Sequence, residues 1–337
     1  MNASLAEAIA RLERSAAAAD VRYNVPLSSL SRWRIGGPAD IVVNPHSREA
    51  LADTLGIIRR TGLPQAVIGD GSNLLFDDAG FRGIVIRIGR AFGGFDATPE
   101  GRVRAGAGLW VPSFVRATID AGLAGLVHAI GIPGTLGGLC VMNGGSQRRG
   151  VGEHLIRIEA MDGEGLAHAV ERCDLELGYR SSGLEGAGLV VLAAEFQLEP
   201  GDRSALRREA IAILAARRRK FPRVRANCGS VFVSDPRLYA RIGTPGAAIE
   251  RAGLKGLRCG DAQISPVHAN IIVNNGRASA MDVLSLIAVA RRRVEAETGI
   301  LMRAEVGYVP PDGAPRPAHL ALPGKPVFEA LVKRQAV

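Results

Sequence analysis

Long apolar runs are missing from this 337-residue chain, and so is any bias of composition toward disorder. No stretch approaches the roughly 18 uninterrupted apolar residues that a membrane-spanning helix requires, which excludes a membrane protein of that kind. Hydrophobic residues make up 47% of the chain, and glycine does not recur at every third position. A disordered chain and a collagen-like chain are therefore excluded, and the length suits two or three packed domains.

Cysteine is scarce, and its positions are far apart: Cys140, Cys173, Cys228 and Cys259. No Cys-x-x-Cys pair occurs and no histidine lies at zinc-finger spacing, so the sequence predicts no metal site. The first 19 residues contain acidic side chains and no apolar core run, unlike a signal peptide. We therefore expect a reduced, cytoplasmic setting.

Lysine and aromatic residues are also rare, with two Trp, four Tyr, nine Phe and only four lysines among 42 basic residues. The formal net charge of +9 is typical either of a nucleic-acid binder or of an enzyme whose ligands carry phosphates. The arginines are dispersed and no aromatic residues alternate with them, which favours the enzyme and predicts no nucleic-acid partner. The densest basic cluster, residues 217–220 (RRRK), is expected to be the solvated last turn of a helix.

Apolar periodicity predicts mixed helices and strands along the chain. A long helix that begins near Asp202 ends at Phe221-Pro222, and the main domain boundary is predicted there. Four regions follow: an N-terminal helix over residues 1–20, a mixed α/β region over 21–222, an α+β domain over 223–309, and a proline-rich tail over 310–337.

Glycine-rich segments are the strongest local signal. Residues 69–73 (GDGSN) and 131–138 (GIPGTLGG) both contain closely spaced glycines, and Asn143-Gly144-Gly145 follows the second. Glycine lets the backbone approach a pyrophosphate with several N–H donors, although any single pair is also typical of a tight turn. Position 74 is leucine, so the third Rossmann glycine is missing, and no P-loop occurs. The sequence predicts a dinucleotide bound by a different fold.

Polar candidates for catalysis are weak when taken singly. Arg180 stands in a polar turn, Ser230 follows a glycine, and Glu305 lies in a short segment after a predicted helix. Each is also typical of an ordinary surface residue. His268 lies in an apolar run and is expected to be structural rather than a general base. No Ser/His/Asp pattern or metal-ligand pattern is present.

The order of these segments resembles the UDP-N-acetylenolpyruvoylglucosamine reductases, flavoenzymes of bacterial cell-wall precursor synthesis. The resemblance covers residues 20–309 in collinear order. The matching segments are 33–40 (WRIGGPAD), 69–75 (GDGSNLL), 131–138, Met142-Asn143, Tyr179-Arg180-x-Ser182, Gly229-Ser230-x-Phe232, 246–256 (GAAIERAGLKG), 264–274 (ISPVHANIIVN) and Glu305-Val306. Single motifs of this set are unspecific, whereas the complete ordered set is highly specific.

The resemblance implies an α+β protein. Residues 21–222 would form the FAD-binding region, with a fold of the vanillyl-alcohol-oxidase (PCMH) type in two subdomains. Residues 223–309 would form a C-terminal α+β substrate-binding domain. Non-covalent FAD would be reduced by NADPH as co-substrate. UDP-N-acetylglucosamine enolpyruvate would then take a hydride from flavin N5 and a proton, giving UDP-N-acetylmuramate for peptidoglycan. The expected partners are this nucleotide sugar and NADPH, with no obligate protein partner and no membrane span.

The resemblance also implies roles for individual residues. Ser230 matches the proton donor, and Arg180 and Glu305 match the pair that polarises the substrate carboxylate. An arginine fork grips a carboxylate at two points, whereas Glu305 would help only if protonated. Residues implied in FAD binding are Gly69, Gly71, Ser72, Asn73, Gly131, Ile132, Gly134, Thr135, Gly137, Gly138 and Asn143. Tyr179, Lys220 and Ser234 are implied in substrate binding, although Lys220 is equally typical of a helix-end cation.

Two segments depart from the family pattern on the substrate side. Residues 233–235 (VSD) replace Lys-Asn-Pro, and residues 144–147 (GGSQ) replace Ala-Gly-Ala-aromatic. The short interval between Arg180 and Ser230 resembles the subtype without a substrate-capping tyrosine loop. These departures leave open a paralogue that reduces another enolpyruvyl or related nucleotide sugar. A non-catalytic basic module and a covalent-flavin oxidase are further alternatives, the latter without a His or Cys linkage signature.

Overall fold

The computed structural model describes residues 3–15, 19–224 and 226–322. The chain forms two compact units, each built from three separate segments. The first unit comprises Met1–Tyr23, Ile41–Asp70 and Gly83–Arg219. The second comprises Asn24–Asp40, Gly71–Arg82 and Lys220–Val337. The domain limits expected from the sequence stay a prediction, because they divide the chain by position rather than by packing.

Helices occupy much of the described chain. In chain order, α1 to α8 are Ala3–Arg14, Arg48–Thr61, Val111–Asp120, Leu136–Val141, Arg203–Lys220, Pro236–Arg241, Pro245–Arg251 and Ala280–Thr298. The N-terminal helix expected over residues 1–20 is observed as α1 only. Ala19 already begins a strand, and residues 1, 2 and 16–18 lie outside the described residues.

Local capping signals explain the limits of two helices. Before α2, the Ser47 side chain accepts a hydrogen bond from the Ala50 N–H, and after it Gly62 adopts a left-handed φ of 63°. Before α8, Ser279 and Asp282 form a capping box. These signals lie within a few residues of the helix ends that they set.

The strands are mostly short. In chain order, β1 to β17 are Ala19–Pro26, Pro38–Pro45, Gln65–Ile68, Leu74–Phe76, Phe81–Arg87, Phe95–Ala97, Arg102–Gly106, Leu123–Ala124, Leu155–Met161, Ala167–Glu171, Val190–Gln197, Glu199–Pro200, Arg258–Cys259, Ala262–Ile264, Ile272–Asn274, Gly307–Val309 and Arg316–Pro317. The strand expected near Ser230 is observed only as an isolated bridge between Phe232 and Ala304.

The first unit contains an antiparallel sheet of order β10-β9-β11-β7-β6 and most of a sheet of order β1-β2-β5-β3, in which β3 and β5 are parallel. Fully buried apolar side chains from both sheets and from α2 and α3 form its core. Phe114 of α3 packs against Phe196 of β11, with ring centroids 5.4 Å apart. Most of this core is aliphatic, and burial of its apolar side chains stabilises the first unit.

Arginine–glutamate pairs cover the outer face of the five-stranded sheet. Glu195 of β11 accepts from Arg102 at 2.9 Å and from Arg157 at 2.7 Å, on the two neighbouring strands. Burial alone would raise the pKa of Glu195, but the hydrogen bonds from the two guanidinium groups outweigh it and lower the pKa. Part of the arginine excess is therefore used in cross-strand pairing of this kind.

The second unit contains two three-stranded sheets, β13-β14-β15 and β17-β16-β4, packed with α8. Trp33 is fully buried in its core. The indole N–H of Trp33 donates to the Ile272 carbonyl at 2.7 Å. The backbone carbonyl of Trp33 accepts from the Asn274 side chain at 2.9 Å. These bonds fix the segment 33–40 against β15.

The beginning of the expected proline-rich tail is ordered in the second unit. Strand β17 pairs with β16, and a short turn of helix over Ala318–Leu320 follows. Residues 323–337 of the tail lie outside the described residues. Among the described helices, none has both the length and the apolar character needed to span a membrane.

Candidate active site

The two glycine-rich segments meet in the first unit. A Cβ atom added to Gly69 would lie 2.0 Å from the Thr135 hydroxyl oxygen, so only glycine allows this contact. A Cβ atom on Gly137 would lie 2.9 Å from that of Ala107, and Gly134 has a φ of 128° that other residues rarely adopt. Gly69 and Gly137 are required by close packing within the first unit, and Gly134 by its backbone conformation; phosphate binding by these loops stays a prediction.

The rest of the first loop belongs to the second unit. Gly71 has a φ of 56°, and an added Cβ would lie 2.1 Å from the Leu30 carbonyl oxygen. The Gly71 carbonyl accepts from the Arg32 N–H at 3.3 Å. Ser72 and Asn73 follow immediately before β4. The loop backbone is thus held against residues 30–32.

Open space lies beside Gly138 at the start of α4, in a loop for which the family resemblance implies FAD binding. Helix α4 begins directly after Thr135, and no side chain caps its first turn. Around Gly138 there is open space, since the nearest atom to an added Cβ is the Thr135 oxygen at 3.8 Å. The N–H groups of Leu136 and Gly137 donate to the carbonyls of Leu109 and Ala107 at 2.9 and 2.8 Å, so the open space lies beside Gly138 and not in front of these two donors. Ile132 lies in the same loop, with its N–H bonded to the Ala129 carbonyl at 2.9 Å.

Asn143 connects three segments of the first unit. Its side chain donates to the Gly178 carbonyl at 2.8 Å and accepts from the Gly152 N–H at 2.9 Å, and its φ is 42°. The amide therefore fixes the turn that carries Tyr179 and Arg180. This is a structural task besides the FAD contact that the family resemblance implies.

Arg180 is half-buried and has a left-handed φ of 59°. Its Nη2 donates to the Gly145 carbonyl at 3.0 Å, and its guanidinium carbon lies 5.6 Å from the ring centroid of the exposed Tyr179. A fixed guanidinium of this kind presents parallel donors to a carboxylate. The unusual backbone conformation indicates a position that the surrounding structure enforces.

The departure from the family pattern at residues 144–147 is accommodated within the first unit. The Ser146 hydroxyl donates to the His128 carbonyl at 2.5 Å, and the Ser146 N–H points to Nδ1 of the same histidine at 3.4 Å. An added Cβ on Gly144 would lie 2.5 Å from Leu139. Ser146 and Gly144 thus serve local packing, so this departure does not by itself indicate a different substrate.

Arg217 is a residue that the sequence reasoning missed. Its neighbours Arg218, Arg219 and Lys220 are exposed, as expected for a solvated last turn, but Arg217 is half-buried. Its side chain packs over Gly131, where an added Cβ would lie 2.3 Å from Cδ. Burial lowers the pKa of Arg217, and the nearby Arg180 lowers it further. The sequence offered one signal: successive residues of a helix point in different directions, so Arg217 need not face solvent together with Arg218 and Arg219.

Ser230 and Glu305 are brought together in the second unit. The Glu305 N–H donates to the carbonyl of Val231 at 2.8 Å, next to Ser230. The side chain of Asn73 donates to the Glu305 carbonyl at 3.0 Å. Gly229, with a φ of 75°, turns the chain immediately before Ser230. Three residues far apart in sequence, Asn73, Ser230 and Glu305, therefore share one neighbourhood.

The remaining expected substrate residues also lie in the second unit. Ser234 is half-buried and stands just before Asp235, which caps α6. Lys220 is exposed at the end of α5.

His268 stacks on Phe221 with ring centroids 5.4 Å apart, and burial is the main cause that lowers the pKa of His268. This stacking agrees with the structural role expected for His268. Among the described residues, no group of His, Cys, Asp or Glu could hold a metal ion.

Comparison with known proteins assigns these features to a family. Residues 221–309 match the UDP-N-acetylenolpyruvoylglucosamine reductase C-terminal domain, and residues 39–171 match an FAD binding domain. UDP-N-acetylenolpyruvoylglucosamine reductase 1 of Corynebacterium glutamicum is 48% identical over 302 residues, covering 89% of this chain and 90% of that protein. This chain belongs to the UDP-N-acetylenolpyruvoylglucosamine reductase family.

Other members of the reductase family agree. The reductase of Heliobacterium modesticaldum is 40% identical over 289 residues, covering 86% of this chain and 90% of that protein. The crystal structure of the reductase from Thermus caldophilus has a TM-score of 0.72 and 33% identity, and the match covers 87% of this chain and all of that chain. The expected family, the α+β class with its FAD-binding and C-terminal reductase domains, and the oxidoreductase activity are confirmed.

Proposed function

We propose that this reductase converts UDP-N-acetylglucosamine enolpyruvate to UDP-N-acetylmuramate, using FAD and NADPH. The observation that carries the proposal is the direct backbone pairing of the Ser230 and Glu305 segments in the second unit. This pairing of the two backbone segments supports a proton donor and a carboxyl group that act on one enolpyruvyl substrate. When bound, FAD supplies the hydride that reaches the methylene carbon of the substrate, after reduction by NADPH.

Ser230 is the proton donor in this proposal. Hydride addition at the methylene carbon turns it into a methyl group and leaves the adjacent carbon to be protonated. Ser230 supplies that proton, and the reaction adds one hydride and one proton to the carbon–carbon double bond in total. A serine hydroxyl is a weak acid, so neighbouring groups must stabilise the alkoxide or pass a proton to it.

Arg180 and Glu305 act on the substrate carboxylate. Negative charge grows on this carboxylate as the enol-like state forms, and a fixed guanidinium stabilises it more than the ground state. The hydrogen bond to Gly145 holds Arg180 in place for this task. Glu305, in its protonated form, donates a hydrogen bond to the same group. Tyr179, Lys220 and Ser234 bind the rest of the nucleotide sugar.

The cellular setting is part of the proposal. We place the enzyme in the cytoplasm, where its partners are NADPH and the nucleotide sugar, and we propose no obligate protein partner and no nucleic-acid partner. The small number and wide spacing of the cysteines support a reducing compartment. NADPH, the nucleotide sugar and FAD all carry phosphates, and a net positive charge on the protein favours their binding.

An anaerobic two-step experiment tests the proposal. The flavin is first reduced with NADPH, and UDP-N-acetylglucosamine enolpyruvate is then added while the flavin absorbance is followed. We expect the oxidised spectrum to return in the wild type. In Ser230→Ala, reduction by NADPH should remain nearly normal and reoxidation by substrate should fall about 1,000-fold or more.

Ser204→Ala, an exposed serine of α5, is the matched control and should keep both steps. Equal loss of both half-reactions in Ser230→Ala would contradict the role of Ser230 as proton donor. A wild-type flavin that NADPH reduces but this substrate does not reoxidise would contradict the substrate assignment. Reoxidation by another enolpyruvyl nucleotide sugar would then support the paralogue.

A further inference from the structure

The described part of the C-terminal tail, up to residue 322, is attached to the segment that contains Glu305. The Ala304 N–H donates to Nδ1 of His319 at 3.0 Å, on one side of Glu305. The Ala318 N–H donates to the Val306 carbonyl at 2.9 Å, on the other side. The residue proposed to act on the substrate carboxylate is therefore held between two hydrogen bonds from the tail.

The tail is firmly seated at this point. Ala318 is fully buried in the core of the second unit, and β17 continues the sheet β17-β16-β4. The match to the family's C-terminal domain ends at residue 309, so the tail lies beyond it. Pairing of Gly307 with Pro317 and of Tyr308 with Arg316 sets the register that brings His319 opposite Ala304.

We propose that His319 is a positioning residue that fixes the backbone of Glu305 and thereby its carboxyl group for the reaction with the enolpyruvyl substrate. This inference rests on the proposed function of Glu305. His319 itself is not proposed to touch substrate or cofactor.

The backbone hydrogen bonds of residues 304 and 305 explain how His319 can affect the position of Glu305. The Glu305 peptide is already fixed by Val231 on its N–H and by Asn73 on its carbonyl. Ala304 is buried, so without His319 its N–H would have to find another partner or remain unsatisfied, which is unfavourable for a buried donor. The segment would relax toward a new partner, and a displacement of about 1 Å is enough to cost on the order of 100-fold in rate.

The protonation state of His319 follows from the same geometry. Nδ1 accepts from a backbone N–H and therefore carries no proton, so the imidazole is neutral. Burial lowers its pKa, and Arg291 of α8 and Arg303 of the adjoining segment lower it further. Two cations thus face His319, and both disfavour the imidazolium that would break the bond to Ala304.

Three variants of the flavin-loaded enzyme test the inference. His319→Ala removes the acceptor, His319→Asn keeps an acceptor oxygen near the position of Nδ1, and Leu320→Ala changes an exposed neighbour in the same turn. We expect His319→Ala to slow reoxidation by UDP-N-acetylglucosamine enolpyruvate about 10- to 100-fold. NADPH reduction of the flavin should change by no more than about twofold, because Glu305 has no role in that step. His319→Asn should recover most of the loss, and Leu320→Ala should match the wild type.

Amide hydrogen exchange provides a readout that is independent of activity. Exchange at Ala304 should accelerate in His319→Ala and return toward the wild-type rate in His319→Asn.

Equal slowing of both half-reactions in His319→Ala, or no rescue by asparagine, would overturn the positioning role. Glu305→Ala separates this result from the proposed function. If Glu305→Ala itself leaves reoxidation unchanged, the proposed role of Glu305 fails. If it slows reoxidation while His319→Ala does not, only the inference about His319 fails.

Discussion

The side-chain amide of Asn73 donates a hydrogen bond to the backbone carbonyl of Glu305 at 3.0 Å, across 232 residues of sequence. The carbonyl of Asn73 in turn accepts from the Gly307 N–H at 3.0 Å. The end of the first glycine-rich loop is thereby tied to the strand that contains a proposed catalytic residue. One residue implied in FAD binding also sets the position of a residue implied in substrate activation.

Asn73→Asp should be more harmful than its small size change suggests. The new carboxylate has no N–H to donate and would face the Glu305 carbonyl oxygen. We expect the free energy of unfolding to fall by about 1–3 kcal/mol and reoxidation of the flavin by substrate to slow. Urea unfolding and the two half-reactions measure these effects. Asn275→Asp, at an exposed position, is the control, and an Asn73→Asp protein as stable as the wild type would refute the importance of this bond.

Gly69→Ala should impair FAD retention. The added methyl group would overlap the Thr135 hydroxyl, since its Cβ would lie 2.0 Å from that oxygen. The two glycine loops would have to separate, and we expect a lower flavin-to-protein ratio after purification and a weaker Kd on titration with FAD. Gly163→Ala, where no atom lies within 4 Å of the added Cβ, is the control.

The double variant Gly69→Ala/Thr135→Ala sharpens this test. Removing the hydroxyl and methyl groups of Thr135 relieves most of the overlap, so thermal stability should recover relative to Gly69→Ala. Flavin retention need not recover, because Thr135 is itself implied in FAD binding. A double variant as unstable as Gly69→Ala would show that the overlap with Thr135 is not the cause.

Arg180→Lys should separate charge from geometry. Lysine keeps the positive charge and the same left-handed backbone, but one ammonium cannot bind the Gly145 carbonyl and grip a carboxylate at two points. We expect substrate reoxidation to slow about 100-fold while NADPH reduction of the flavin is largely kept. Stopped-flow absorbance measures both steps, with Arg172→Lys on the exposed surface as control. A lysine variant with wild-type reoxidation would contradict bidentate recognition.

His128 should make stability depend on pH. Burial lowers the pKa of His128 to about 4, and the nearby Arg149 and His154 contribute. The unfolded chain binds a proton near the ordinary value of about 6.5, whereas the folded protein does not until about pH 4. This contribution to stability is therefore complete above pH 6.5 and is lost as the pH falls from there toward 4.

The expected loss between pH 7 and pH 4.5 is about 2 kcal/mol, measured by urea unfolding of the FAD-saturated protein. His128→Asn can still accept from the Ser146 N–H but cannot titrate in this range, so its pH dependence should be smaller by that amount. His168→Asn, at an exposed ion pair, is the control. Equal pH dependence in wild type and His128→Asn would contradict the prediction.

Much of the local structure could be predicted because its causes are local. Ser47 and Gly62 limit α2, and Ser279 with Asp282 starts α8, through hydrogen bonds that span only a few residues. Apolar spacing continues beyond Arg14, whereas α1 ends at Arg14 and β1 begins at Ala19. Periodicity indicates that a helix exists better than it indicates where the helix ends.

Arg217 and His319 could not be assigned from the sequence. A basic run at a helix end is usually solvated, and only the packing of α5 over Gly131 buries one of its four cations. A proline-rich segment has no apolar periodicity, so nothing local predicted that Ala318 would enter the core.

The sequence by itself determined the glycine loops, the order of the motifs, the limits of α2 and the start of α8, since these depend on residue type and near neighbours. Only the tertiary structure decided which distant residues meet: Gly69 with Thr135, Asn73 and Ser230 with Glu305, and His319 with Ala304. Such contacts arise from packing within each of the two cores and from the pairing of segments that are far apart in sequence. Their free energy depends on the whole fold, and no short stretch of sequence contains it.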